Sequence, residues 1–307
     1  MGNGTEDKYI EALRSFPASG GGGAHSYLLT CANLGKLAGL TPKQVEADLR
    51  RAWHGEREAT KTEFAEAISK AFSANYTPTD RALVVRRING ENLLAAILKR
   101  GQGATEDDIR TASPVKLTWP VGKQDAIETL RALYAPDDLI FVGDKFSAAR
   151  SYIRAAEDWI HIFERTPPIY PHIVPNPLTG ERGLSKTGTP SWRADGCVSK
   201  FKFATLEFDQ LDRQQQIEFW AGCPLPICAL IDSGGKSIHA WVRIDAENAD
   251  DWEARVERKL FSYLKPLGID GSNRNESRLS RLPGHFRSEK KRFQRLLYLS
   301  PEGKAIR

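Results

Sequence analysis

At 307 residues the chain exceeds what one hydrophobic core usually supports, about 250 to 300 residues, so two domains are expected. Forty per cent hydrophobic residues and seven tryptophans indicate ordinary globular cores, and no apolar run reaches the roughly 18 to 20 residues of a membrane span. The start of the chain has no apolar signal region, so a soluble, cytoplasmic protein is expected. Forty-four Lys plus Arg against 39 Asp plus Glu leave a net charge of only +5, too little alone to imply a polyanionic partner. Cys31, Cys197, Cys223 and Cys228 form no C-x-x-C pair, which fits a reduced compartment without structural disulfides. Cys223 and Cys228 with His172 have poor spacing for zinc, and zinc is not expected.

Asp7 to Phe16 has the pattern of a short helix, followed by a glycine-rich joint, Ser19 to Gly23. His25 to Leu37 carries helical spacing and stops at Gly39. Thr41-Pro42-Lys43-Gln44 is a helix start, with an N-cap, proline at the first position and Gln at N3, and Val45, Leu49 and Trp53 follow on one face. Thr60 and Glu63 repeat the capping box ahead of Phe64, Ile68 and Phe72. Three short helices, each with one apolar stripe, imply a compact bundle of their own.

Asn75 to Asp80, with Pro78, leaves the bundle, and Gly90 to Lys99 gives one more helix. Gly101 to Pro114, with its Gly-x-Gly and Ser113-Pro114, reads as the interdomain connection, which places domains at 1–112 and 113–307. A helix over Asp125–Tyr134, a strand over Leu139–Val142 and a long helix over Ala148–Phe163 then make an α/β unit. Pro167 to Arg193 is a proline- and glycine-rich excursion whose Arg182, Lys186 and Arg193 can cover a substrate or simply decorate a long loop. Further on come a helix over Arg213–Trp220, a helix capped by Asn248 with Trp252, Val256, Leu260 and Tyr263 along one face, and a closing strand over Arg295–Leu299. The whole is α+β, with the sheet layered by helices.

Three pieces of this second half carry chemistry. In Phe203-Ala204-Thr205-Leu206-Glu207-Phe208-Asp209 a strand's period of two sends Glu207 and Asp209 from one face while Leu206 and Phe208 enter the core. Two carboxylates about 7 Å apart at their stems can converge on divalent ions. Asp232-Ser233-Gly234-Gly235-Lys236-Ser237-Ile238-His239 reads as strand, glycine turn, strand. Ser233, Gly234 and Gly235 permit close backbone approach, and Lys236, Ser237 and His239 supply a cation, a hydroxyl and an imidazole for phosphate oxygens. It is not a P-loop, because Leu230 stands where the first glycine belongs and a strand follows. The third piece is Gly268-Ile269-Asp270 with Arg278-Leu279-Ser280-Arg281-Leu282-Pro283-Gly284, one more acid and two arginines. Taken singly, an acidic pair on a strand is most often a solvated face, a Gly-Gly turn only a turn, and a histidine among apolar neighbours a half-buried one. From Arg274 to Arg295 eight Lys or Arg meet two acids, a basic block that beside such acids suits a nucleotide or nucleic-acid site.

An acidic pair ending a strand, S-x-H after a glycine turn, and an acid before R-L-P-G together resemble the archaeo-eukaryotic primase superfamily, closest to the phage and plasmid primases and primase-polymerases. The separations, 30 residues from Asp209 to His239 and 31 from there to Asp270, are similar to that family's. The resemblance covers the C-terminal part of the chain and implies a catalytic domain with an α/β half and an RRM-like half. It implies that Glu207, Asp209 and Asp270 hold two Mg2+ or Mn2+ ions. It also implies that Lys236, Ser237 and His239, aided by Arg278 or Arg281, grip the phosphates of an NTP or dNTP. The chain has Glu-x-Asp where many members show Asp-x-Asp or Asp-x-Glu. The activity implied is template-dependent nucleotidyl transfer on single-stranded DNA, with a replicative helicase as a further partner and the helical module in an accessory role. Two other readings of the same residues are a non-catalytic replication initiator that keeps the fold and a metal-dependent nuclease.

Overall fold

The computed structural model describes residues 4–17, 24–54, 58, 60–73, 92–185 and 188–307. The glycine-rich joint from Ser19 to Gly23, the segment from Asn75 to Asp80, the start of the next helix at Gly90, and Lys186 lie outside the described residues. The chain divides into two compact units, Met1–Asn89 and Gly90–Arg307. Among the described residues no helix is long and apolar enough to cross a membrane.

The first unit is a helical bundle of α1 (Gly4–Arg14), α2 (Ala24–Leu37), α3 (Pro42–Ala52) and α4 (Lys61–Phe72). Its helices start where capping chemistry places them. The Thr41 hydroxyl accepts from Gln44 N while the Gln44 side chain accepts from Thr41 N at 2.9 Å, and Thr60 and Glu63 make the same exchange. Leu28, Cys31, Val45, Leu49 and Phe64 fill the core. A Cβ on Gly35 would stand 2.4 Å from Val45 Cγ2, so α2 and α3 touch at a position that has no room for a side chain.

The second unit begins with α5 (residues 92–101) and α6 (Glu106–Ala112). After α7 (Lys123–Leu133) come β1 (Leu139–Gly143), β2 (Ile153–Ala155), α8 (Ala156–Arg165) and β3 (His172–Ile173). A small hairpin, β4 (Gly183–Leu184) and β5 (Pro190–Ser191), lies within the excursion before β6 (Phe201–Leu206). Then follow α9 (Arg213–Gly222), β7 (Ile227–Asp232) and β8 (Ile238–Ala246). A helical run continues as α10 (Ala249–Trp252), a π-helical stretch Glu253–Leu260 and α11 (Phe261–Leu264). The chain closes with β9 (Ser280–Arg281), β10 (Phe286–Arg287), β11 (Arg292–Phe293) and β12 (Arg295–Lys304).

Two four-stranded sheets organise this unit. The larger is antiparallel with order β12-β7-β8-β6, and the smaller has order β2-β1-β3-β9. The β-α-β-β-α-β succession from β6 to β12 is the one expected for the RRM-like half. Alternation along the larger sheet serves two cores. Ala204, Leu206, Leu230 and Ala240 pack with α9 and the α10–α11 run on one face, whereas Phe203, Ala229 and Trp241 pack with α7 and α8 on the other.

Three expectations need correction. The compact units part at Asn89–Gly90, not near residue 112, because α5 and α6 belong to the second core: Ile97, Ala104 and Ile109 pack with Phe208 and Trp220. Gly101, which locally resembles a linker glycine, is a helix crossing. A Cβ there would lie 1.8 Å from the Glu218 carbonyl oxygen, and one on Gly222 would lie 2.2 Å from the Ile97 carbonyl oxygen, so α5 and α9 meet backbone to backbone. Glu106 adds ion pairs to Arg213 and Arg295, both of which also pair with Asp232 at 2.9 and 3.1 Å. Second, the long helix over Ala148–Phe163 is cut by β2, since Ile153 and Arg154 find ladder partners in Phe141 and Ile140; a single 3-10 turn, Arg150–Tyr152, precedes the strand and the α-helix begins only at Ala156. Third, Tyr263 is 63% exposed, because the wider turn of the π-helical stretch rotates the buried face onto Phe261 and Leu264.

Candidate active site

Strand register assembles the site. The β6–β8 ladder runs Phe203↔Arg243, Ala204↔Val242, Thr205↔Trp241 and Leu206↔Ala240, so its next rung sets Glu207 opposite His239. On the other side of Glu207 an isolated antiparallel bridge, Phe208↔Ile269, sets Glu207 opposite Asp270, and Asp270 N donates to Glu207 O at 3.0 Å. Antiparallel partners share a face, so Glu207 and Asp270 leave the backbone on one side while Leu206 and Phe208 are fully buried on the other, and Asp209 follows in a bend just past the bridge.

Glu207 is the hub. Its Oε2 receives the Ser237 hydroxyl at 3.0 Å and lies 3.1 Å from His239 Nε2, and its Oε1 receives Asn273 Nδ2 at 3.0 Å. Burial pushes its carboxyl up. The hydrogen bond and charge of His239 and the donors Asn273 and Ser237 outweigh burial and hold it at about 2, so Glu207 is ionised at neutral pH. His239 is itself held from behind. Trp241 Nε1 donates to Ser280 Oγ at 2.8 Å, and Ser280 Oγ lies 3.3 Å from His239 Nδ1, a contact that holds the ring with Nε2 facing Glu207.

Beside this hub lies a cavity of about 370 Å3 lined by His172, Arg193, Glu207, His239, Asn275, Ser277, Arg278, Leu279 and Arg281. Arg281 Nη1 lies 3.0 Å from His172 Nε2, and burial followed by the charges of Arg281 and His239 brings His172 down to about 4. His172 is therefore neutral at pH 7 and accepts from Arg281. Its Nδ1 is buried with no hydrogen-bond partner among the described residues. Three guanidinium groups against one carboxylate give the cavity lining an excess of positive charge, and planar forks of this kind match phosphate oxygens.

Of the residues singled out in the sequence, Arg193, Glu207, His239, Arg278 and Arg281 line this cavity, and Ser237 touches it through Glu207. Asp270 accepts from Ser272 N and Oγ at 2.9 and 2.6 Å, with Arg278 at 4.0 Å. Asp209 is exposed, and its main-chain oxygen receives Lys236 Nζ. Ser233, Gly234 and Gly235 do not line the cavity. Their turn closes on itself through Ser233 N to Ser237 O at 3.0 Å, uses the positive φ of Gly234, and is met by Arg287, which donates to Ser233 O at 3.1 Å. Nor is the basic block one patch: Arg295 sits in the Glu106–Asp232 network, Arg287 pairs with Glu289, and Lys290, Lys291 and Arg292 are exposed. Sequence reasoning did not single out Asn273, Asn275 or Ser277 and gave His172 no role in the site.

The three acids are oxygen donors only, which suits a hard divalent cation such as Mg2+ or Mn2+, and the Phe208↔Ile269 bridge sets two of them, Glu207 and Asp270, opposite each other. Three of the roughly four acceptor positions on Glu207 are taken, which leaves one open. As the side chains stand, no group of three or more His, Cys, Asp or Glu among the described residues gathers closely enough to hold a metal. The set fits a cation in donor chemistry, with Glu207 turned onto its hydrogen-bond donors. Cys223 and Cys228 lie in two different cores, where burial lifts both thiols to about 11.

No protein-family model matches the chain, and no curated protein does. Among solved structures the chain is similar to the AEP domain of the cyanophage S-2L primase-polymerase, at 18% identity over 61% of this chain and 95% of that one, with a TM-score of 0.38. At that identity and TM-score the functional reading rests on the side chains of this chain.

Proposed function

We propose that the chain is a template-dependent nucleotidyltransferase, a primase or primase-polymerase that builds on single-stranded DNA. The observation that carries this reading is the juxtaposition of an ionised, hydrogen-bonded Glu207, cross-strand from Asp270, with a cavity lined by Arg193, Arg278 and Arg281. Acids on one side and guanidinium groups on the other are what transfer between a hydroxyl and a triphosphate needs, since the chemistry calls for positioning and charge compensation with no protein nucleophile. Glu207, Asp209 and Asp270 would hold Mg2+ or Mn2+, which when bound supplies charge neutralisation at the phosphate and activation of the attacking hydroxyl.

Arg193, Arg278 and Arg281 bind the polyphosphate of an NTP or dNTP and compensate the charge that develops on departing pyrophosphate. Neutral His172 adds no positive charge there and orients Arg281. His239, aimed by Ser280, keeps Glu207 ionised and in place, and at about 2 that carboxylate is a ligand and acceptor at working pH, not a proton donor. Lys236 steadies the backbone at Asp209.

Primed and unprimed single-stranded DNA, incubated with labelled ATP and each dNTP in Mg2+ or Mn2+, tests the reading. Template-directed incorporation supports it. Strand binding without incorporation would replace it with a non-catalytic initiator, and degradation of the strand without use of nucleoside triphosphates would replace it with a nuclease.

A further inference from the structure

Between β1 and β2 a turn holds out an aromatic ring that the fold does not use. Phe146 is 80% exposed, the most open of the large apolar side chains among the described residues. A phenyl ring left in water forgoes the burial that would stabilise the fold. The turn beneath it is nonetheless fixed: Asp144 Oδ1 accepts from Phe146 N at 2.6 Å and Ser147 N at 2.8 Å, and Asp144 N donates to Ser147 Oγ at 3.0 Å. Arg193 clamps it from the other side, donating from Nη2 to Lys145 O at 2.8 Å and from Nε to Ser147 O at 3.3 Å. The same Arg193 lines the cavity, and Gly143, at the start of the turn, is the ladder partner of His172, another cavity residue. Lys145 Nζ stands 4.8 Å from the centre of the Phe146 ring.

We infer that the Lys145–Phe146 turn is a stacking contact for one base of a single-stranded nucleic acid whose backbone passes the mouth of the cavity. An open aromatic face accepts any base, and a cation beside it answers the neighbouring phosphate. Ordering the ring in advance through Asp144 and Arg193 lowers what a strand must lose in freedom on binding. The ring is not among the cavity's lining residues, so a lone nucleotide seated in the cavity is not enclosed by it. A strand tethered through its phosphates carries its bases past the ring repeatedly. The inference rests on the cavity as a phosphate site and not on nucleotidyl transfer.

Fluorescence anisotropy of a labelled thymidine homo-oligomer with the full chain tests it, alongside calorimetry with ATP. Phe146→Ala should weaken oligomer binding roughly 5- to 150-fold without changing its salt dependence, because stacking releases no counterions. Phe146→Trp should retain affinity, and Lys145→Ala should reduce the slope of log affinity against log salt by about 0.7. ATP affinity should be unchanged in Phe146→Ala. Wild-type affinity in Phe146→Ala, or no oligomer binding by the wild type, overturns the inference. Equal losses for ATP and oligomer overturn it too, assigning the ring to the nucleotide. Oligomer affinity lost on Phe146→Ala in a protein that incorporates no nucleotide would uphold this contact and sink the proposed enzymatic function.

Discussion

Replacing Glu207 by Gln removes the charge at the hub and keeps its size, and the structure sets what that should do to stability. A carboxyl held at about 2 in the folded chain against 4.5 unfolded is favoured in its ionised form by roughly 3 kcal/mol. Because the folded value is depressed, that contribution is complete above about pH 4.5 and drains away as pH falls toward 2. The side chain is 15% exposed, so solvent screens little of it. In Glu207→Gln the amide also turns an N–H group toward donors that expect an oxygen, from Ser237, His239 and Asn273. Urea unfolding of both proteins from pH 2 to pH 7 should show a gap of about 3 kcal/mol that is flat above pH 5 and closes toward pH 2. A gap independent of pH, or a variant more stable than wild type at pH 7, would show that Glu207 is not held ionised by its neighbours.

Asp209→Ala should abolish nucleotide incorporation on primed template and leave the melting temperature unchanged, because the carboxylate is exposed; near wild-type primer extension would remove Asp209 from the metal set. Gly101→Ala should cost the second unit at least about 1–3 kcal/mol in urea unfolding, since α5 and α9 must separate to admit a methyl group 1.8 Å from a carbonyl oxygen; an unchanged midpoint would mean that the helices do not cross there. A chain beginning at residue 90 should fold and still extend a primer, whereas one beginning at residue 113 should lose its cooperative transition with Ile97, Ile109 and Glu106 gone. Circular dichroism and primer extension on both truncations check this, and a well-folded, active 113–307 chain would restore the boundary first read near residue 112.

Much of this site is written locally. Leu206 and Phe208 are buried on either side of Glu207 because the strand period is two, and the capping boxes at Thr41 and Thr60 need only four consecutive residues each. The strand-turn-strand around Gly234 is local as well. What stayed hidden depends on long-range placement. Gly101 serves a helix crossing with a partner more than a hundred residues away, and no nearby residue distinguishes that from a linker. Ile153 to Ala155 fits a helical stripe as well as a strand until β1 offers it ladder partners. His172 comes from a proline- and glycine-rich excursion with no periodicity of its own, and only the smaller sheet brings it to Glu207, whereas Arg193, legible there as a residue able to cover a substrate, needs the Phe146 turn to reach the cavity. The Ser233–Gly235 turn, whose composition suits phosphate, closes a hairpin met by Arg287 and does not line the cavity.

The rung that joins Glu207 to His239 also divides the chain into places where length can drift and places where it cannot. Between those two residues lie α9 and the turns at either end of β7, and residues added in the turn before α9 lengthen a loop without moving either partner. A single residue inserted within β8 before Ala240, or between Leu206 and Phe208, is different in kind. It would shift one strand by one position against the other and send either the imidazole or the carboxylate through the sheet into the packed layer where Leu206 and Ala240 now sit. Relatives of this chain are therefore expected to vary freely in the spacing of the acid and the histidine measured along the sequence, while the count of residues from the strand core to each of them stays fixed.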